Sequence, residues 1–365
     1  MGTHLSRRRF LTSAAAFPLA AIPTLARAQS ATGPAEKPLP PDPNSVAAPV
    51  AIEVKARPIP SFDMRDRSHL RFGSLQYRSG LVLTSSFPGF GGLSGLRLDE
   101  KGERFISFSD KGSWFTGRIV YQGTESSIRA MTGLADVEAA PMLGPDGRPI
   151  TARGWFDSES IAIDGSQIDN SHVYIGLERV NQVLRFDFSK GFTRSRGEVV
   201  SMPAAVKKLP YNKGLEALVF VPKGQPLAGT LIALSERGLD GDGNLIAFLV
   251  GGPTPGPFSV RRTEKFDISD ATLLPSGDLL VLERKFSLVE GLHVRIRRIP
   301  LKSLAPDALV DGPVIFEADL GNEVDNMEGI DAFMTAEGDT VLTMVSDDNF
   351  SLLQRTLLLQ FTLVD

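Results

Sequence analysis

Between Asn212 and Gly238 the chain carries a short apolar run, a turn and a second apolar run: NKGLEALVF, Val221-Pro222-Lys223-Gly224, then TLIALSERG. Two strand-length apolar runs around a Pro-Gly turn predict an antiparallel hairpin. An acid, Glu216, stands at the start of the first run and another, Glu236, at the end of the second. An antiparallel hairpin returns to the level at which it began, so both carboxylates are expected on one face.

The same order of acid or Ser, small residue, apolar strand, turn, apolar strand and acid recurs along the chain. Upstream, GGLSGL with Ser94 precedes RFISFSDKG with Asp110 and Lys111, and DSESIAI with Glu159 precedes HVYIGLER with Glu178 and Arg179. Downstream, DISDATLLPSGDLLVLERK carries Asp270, Glu283, Arg284 and Lys285, and NMEGIDAF with Glu328 leads to TVLTMVSDDN with Asp347. The leading positions Ser94, Glu159, Glu216, Asp270 and Glu328 are 65, 57, 54 and 58 residues apart. This is close to the roughly 40 to 50 residue period of four-stranded propeller blades.

Further strand-like runs follow each pair, such as NLIAFLV from Asn244, and supply outer strands. The last repeat runs out early, while GLVLTSS from Gly80 lies ahead of the first. An all-β propeller of five blades is therefore predicted, its ring closed by strands from both termini so that no edge is left open. A sixth, degenerate blade has room between Ile128 and Phe156, where the spacing is longest.

The N-terminus changes this picture of one repetitive body. Ser6-Arg7-Arg8-Arg9-Phe10-Leu11, an Ala-rich apolar segment and Ala26-Arg27-Ala28 have the form of a twin-arginine export signal over residues 1–28. Its apolar segment is short for a membrane span. A soluble protein of the periplasm, or secreted, is expected, with no stable membrane insertion after cleavage. Residues 29–60 are rich in Pro, Ala and Ser and read as a flexible linker, leaving 61–365 as the propeller domain. The chain has no cysteine, so an exported fold must stand without disulfides.

Formal charge is −4, and residues 1–28 hold four arginines and no acid, so the mature chain stands at −8. An acidic body with no basic tract argues against nucleic acid as partner. The repeat acids, by contrast, are expected to converge near the axis: Ser94, Asp110, Glu159, Glu178, Glu216, Glu236, Asp270, Glu283, Glu328 and Asp347. Carboxylates held close together take up protons or bind a cation. An oxygen-only set suits calcium or magnesium, and calcium is the expected cofactor. Each Glu-Arg or Asp-Lys step also reads as a salt bridge between blades.

Lys111, Arg179, Lys213, Arg237 and Arg284 flank these acids and suit an anionic ester. The predicted assignment gives metal binding to Asp110, Glu178, Glu236, Asp270, Glu283, Glu328 and Asp347. Those five cations bind substrate, and Glu159 or Glu216 serves as general base. The histidines His69, His172 and His293 show no metal-ligand spacing, no Gly-x-Ser-x-Gly elbow occurs, and the Asp240 to Asn244 stretch DGDGN reads as a plain turn.

GGLSGL, FSDKG, DSESIAI, LER, NKGLEAL, SER, LLVLERKF and NMEGIDAF, in that order after a twin-arginine signal, resemble the bacterial phytase-like family described as having esterase-like activity of phytase. The resemblance spans roughly Ser61 to Asp365. It implies a propeller, an exported hydrolase and a relation to calcium-dependent phytases that cleave phosphomonoesters. Their metal-rich channel would correspond to Glu159, Glu216, Glu236, Glu283, Glu328 and Asp347. Two other readings stay open: a lactonase or carboxylester hydrolase on a metal-binding propeller, and a non-catalytic propeller that binds a ligand or protein with structural calcium. Oligomeric state has no signature in the sequence.

Overall fold

A computed structural model describes residues 48–123, 129–155 and 157–364. It is an all-β chain whose described strands fall into five sheets, one for each predicted repeat, antiparallel apart from one short edge pairing. The expected export signal and residues 29–47 lie outside the described residues. Among the described residues no helix is long and apolar enough to cross a membrane.

Each sheet is a blade read outward from its first strand. Blade I runs Leu93–Leu98, Arg104–Ser109, Ser113–Gln122 and Ala130–Pro141. Blade II runs Ser158–Asp164, His172–Leu177, Gln182–Asp187 and Glu198–Val199. Blade III is Leu215–Phe220, Thr230–Leu239, Leu245–Gly251 and Gly256–Val260, with Leu309–Val310 added in parallel at its edge. Blade IV is Asp267–Leu273, Asp278–Ser287, Gly291–Pro300 and Val314–Asp319. Blade V takes Asn326–Met334, Thr340–Asp347 and Thr356–Leu363 from the C-terminus and Leu75–Ser85 from the N-terminus.

The ring therefore closes by mixing both ends of the chain, and the expected five blades form. The segment reserved for a sixth is used otherwise: Ala130–Pro141 is the outer strand of blade I, and Ile150–Arg153 is a single 3-10 turn. The linker also ends earlier than expected. Val54–Ile59 pairs with Leu75–Ser85 as the outermost strand of blade V, and Val50–Ala51 adds to the edge of blade I. Pro58 sits on that outer strand, where a missing N–H costs no ladder bond.

Inner strands are buried on both faces, so they read as near-continuous apolar or small runs such as LEALVF. The core is divided among the seams. One apolar cluster fills each blade junction: Ile106, Trp114, Ile161 and Phe186 between I and II; Leu215, Leu218, Val183 and Phe248 between II and III. Ala217, Ile232, Ile268 and Val281 fill the next, Leu280, Ile296, Met344 and Phe361 the one after, and Leu83, Leu96, Phe105 and Val345 close the circle.

Candidate functional site

All five inner strands carry a register break at the same level. Pairing skips one residue between Leu93 and Gly95, Ser158 and Ser160, Leu215 and Ala217, Ile268 and Asp270, and Met327 and Gly329. The five bulged residues are Ser94, Glu159, Glu216, Ser269 and Glu328. A bulge leaves its extra residue outside the ladder and re-aims its side chain. On the second strands, the residue just past the partner of the pre-bulge position is Asp110, Glu178, Glu236, Arg284 or Asp347. Two rings of five positions thus surround one mouth of the axis.

These rings hold seven carboxylates, at Asp110, Glu159, Glu178, Glu216, Glu236, Glu328 and Asp347. Glu178, Glu216 and Glu236 are each 3–4% exposed, and one carboxylate oxygen from each lies within 4.8 Å of the others. Two cations reach into the group. Arg284 stands 2.7 Å from Glu328, 3.4 Å from Glu216 and 3.8 Å from Glu236. Lys213 holds Glu236 at 2.6 Å. Seven negative charges against two positive ones leave an excess of five if all ionise.

Burial and mutual repulsion move the acids accordingly. Burial, then the charges of Glu236, Glu328, Glu159 and Glu178, push Glu216 well above the ordinary carboxylate range. Half-buried Glu159 rises well above it too, through desolvation and then Glu328, Glu178, Asp157 and Asp110. Glu178 is pushed up to about 7 by burial, against a 2.7 Å hydrogen bond donated by the Gly214 N–H. Burial lifts Glu328 to about 8 and Asp347 to about 7, although Arg284 favours the charged form of both. Asp110 is raised by burial, and its Oδ1 is a buried acceptor with no donor. Oxygen-only donors in excess, one of them orphaned, fit a hard divalent cation.

The family model described as esterase-like activity of phytase matches residues 88–350, well over half of the chain. The chain belongs to this phytase-like family. No curated protein matches it. Similar solved structures include the β-propeller domain of Cps50 (Swd1) from Myceliophteria thermophila, at 10% identity and TM-score 0.34, covering 71% of this chain and 66% of that one. The Pan2 WD40 domain of Neurospora crassa gives 11%, 0.31, and 75% and 90% coverage. A putative oxidoreductase (glucose dehydrogenase) of Thermus thermophilus gives 13%, 0.33, and 84% and 100%. These likenesses carry no functional argument.

In the phytase-like propeller the rings gather most of the expected acids and turn two of them away. Asp270 is the residue after the bulge, not the bulge itself. Its carboxylate takes two bonds from Arg97, at 2.8 and 3.0 Å, and one from the Ile330 N–H at 2.9 Å. Glu283, fully buried, faces the neighbouring strand and binds Arg295 at 2.7 Å and Arg297 at 2.9 Å. A one-residue change of register moves a side chain to the other face, and here it exchanges Glu283 for Arg284 in the ring.

The flanking cations part in the same way. Arg284 and Lys213 are in the ring. Lys111 lies 2.9 Å from the centre of the Phe350 ring, Arg179 is 3.4 Å from Asp157, and Arg237 is bound to Asp267 at 3.0 Å. Lys285 points to Glu290 at 3.0 Å. The Asp240 turn consumes its own carboxylate, which accepts from the Asp242 and Asn244 N–H groups and from Ser259.

Sequence reasoning missed Arg97. Its guanidinium bonds Asp270 and the carbonyls of Leu96, Leu218, Ala271 and Ile330, so it ties four inner strands together across the axis. Beyond it, toward the opposite mouth, lies a cavity of about 250 Å³ lined in part by Asp331 and Phe220. A lone arginine inside the apolar run LSGLRL was the available signal.

Proposed function

We propose that this phytase-like propeller is an exported, calcium-dependent hydrolase of small anionic esters, of the phosphomonoester type, acting at the acidic mouth. The observation that carries the reading is the excess of buried carboxylates over the two internal cations Arg284 and Lys213. Glu178, Glu216 and Glu236 would hold calcium, with Asp110, Glu328 and Asp347 around them. Bound calcium supplies charge stabilisation to a phosphoryl oxygen and acidifies a water.

The chain's own groups then divide the remaining work. Arg284 and Lys213 bind the anionic oxygens and keep the ester against the ring. Glu159 lies outside the tight trio. Its raised affinity for protons suits it to take one from water as the oxygen–phosphorus bond forms, and to return it to the departing alkoxide. The twin-arginine pattern at Arg7 and Arg8 supports a periplasmic or secreted setting.

The decisive assay measures phosphate release from an aryl phosphomonoester and from phytate, with added calcium and with chelator. Calcium-dependent release that drops at least about 100-fold in Glu159→Gln supports the reading. Folded protein that binds calcium and releases nothing from either ester overturns it in favour of a ligand-binding propeller.

A further inference from the structure

One carboxylate oxygen from each of Glu178, Glu216 and Glu236 lies within 4.8 Å of the others, close enough for the three to share an ion of the size of calcium. Two of these acids already carry cations of the chain. Lys213 Nζ donates to both carboxylate oxygens of Glu236, at 2.8 and 2.6 Å, so whichever of them turns toward a shared ion lies in the lysine's own shell. Arg284 Nη2 stands 3.4 Å from Glu216 Oε1 and 3.8 Å from Glu236 Oε1.

The way each cation is held leaves room for it to move. Lys213 sits on backbone that is stapled to the site: the Gly214 N–H donates to Glu178 at 2.7 Å, and the Gly214 carbonyl accepts from the Glu236 N–H at 2.9 Å. Residue 214 comes this close only because it has no side chain, since a Cβ there would lie 2.0 Å from Asn181 Oδ1. The lysine's stem is therefore fixed, while its side chain is 37% exposed and can turn outward. Arg284 is anchored at its other nitrogen. Nη1 bonds Asn326 Oδ1 and stands 2.7 Å from Glu328, both on blade V, while Nη2 faces Glu216 and Glu236. Rotation about that anchor takes Nη2 away from the trio and keeps the arginine in the ring.

A guanidinium and an ammonium among crowded carboxylates do what a divalent cation would do there: they cancel charge and keep the oxygens together. They cannot do so beside the ion, because like charges a few ångströms apart in a buried site repel strongly. The ion and the two side chains therefore compete for the same oxygens, and such competition is a coupling free energy.

We propose that Arg284 and Lys213 hold calcium's place in the trio and are exchanged for it, which turns both toward the mouth where the anionic ester binds. This rests on the reading of the trio as a calcium site, and adds that the chain's own cations set how tightly the ion is held.

Calorimetric calcium titration of the intact chain tests this by comparing wild type with Arg284→Met and Lys213→Met; melting temperatures in chelator and in saturating calcium give a second readout. Each variant should bind calcium about tenfold more tightly than wild type. Each should also melt below wild type in chelator, with most of that gap closed by calcium, whereas a cation of merely structural role would leave the same gap in both solutions. Lys213→Met, at a partly exposed side chain, carries the test if the Arg284 variant does not fold. Calcium binding no tighter in the folded variants, or an equal loss of melting temperature in both solutions, overturns the proposal and leaves the trio's calcium site standing. No calcium binding by wild type or by either variant overturns that reading as well, and binding by the variants alone supports the exchange in its strongest form.

Discussion

Two clusters of buried carboxylates lie along the axis of this propeller, and they are built to opposite plans. At the acid mouth, Glu178, Glu216 and Glu236 crowd together with Arg284 and Lys213 as their cations. One layer deeper, Asp270 and Asp331 have every need met: Arg97 for the first, the Leu98 N–H and the Thr272 hydroxyl for the second. The difference shows what separates a structural cluster from a ligand site. Burial is common to both, and the supply of donors divides them.

Breaking the satisfied cluster should have the largest effect. Arg97→Met leaves Asp270 buried without its cation and should cost about 3–5 kcal/mol in urea unfolding, with calcium or without it. The crowded cluster should respond with the other sign. Under chelation, Glu216→Gln puts a permanently neutral group where the buried glutamate must either take up a proton or repel its neighbours, and should raise stability by about 1 kcal/mol, while abolishing any gain in melting temperature from added calcium.

The pH response sharpens the contrast further. Glu178, Asp347 and Glu328 hold protons in the fold up to about 7, 7 and 8, above the ordinary glutamate or aspartate range. Groups with raised folded values stabilise fully below their unfolded values and lose that contribution as pH rises through the folded ones. The melting temperature of the chelated protein should therefore fall between about pH 4 and 8, and calcium should flatten the slope. Smallest of all, Lys285→Met should change stability by no more than about 0.5 kcal/mol and leave the calcium response intact, because its partner is the exposed Glu290.

Much of this was legible in the chain. Five compound repeats gave five blades, and the missing outer strand was traceable to the run from Gly80, because strand alternation and turn residues are local signals. Register was not local. LSERG and LERKF look superimposable at Glu236 and Glu283, yet pairing aligns Glu236 with Arg284, and Ser269 rather than Asp270 fills the bulge. A bulge is decided by tertiary closure around the axis, which single-strand patterns do not report. Val54–Ile59 escaped notice for a different reason: its Pro and Ala content reads as linker, and only the edge of an existing sheet makes it a strand.

The mixed closure of blade V has a kinetic consequence. Leu357 pairs with Val82, and Arg78 reaches Thr362 across 284 residues, so the ring can be sealed only after nearly the whole chain has been synthesised. Blades I to IV are hairpin-connected and can form as they emerge, but the last sheet must wait for the final strand. Joining ends so far apart in sequence is slow. Until it happens, the apolar faces of Leu81, Leu83 and Phe361 and two strand edges stand uncovered, which makes this last step the one most exposed to aggregation and most dependent on protection by other factors.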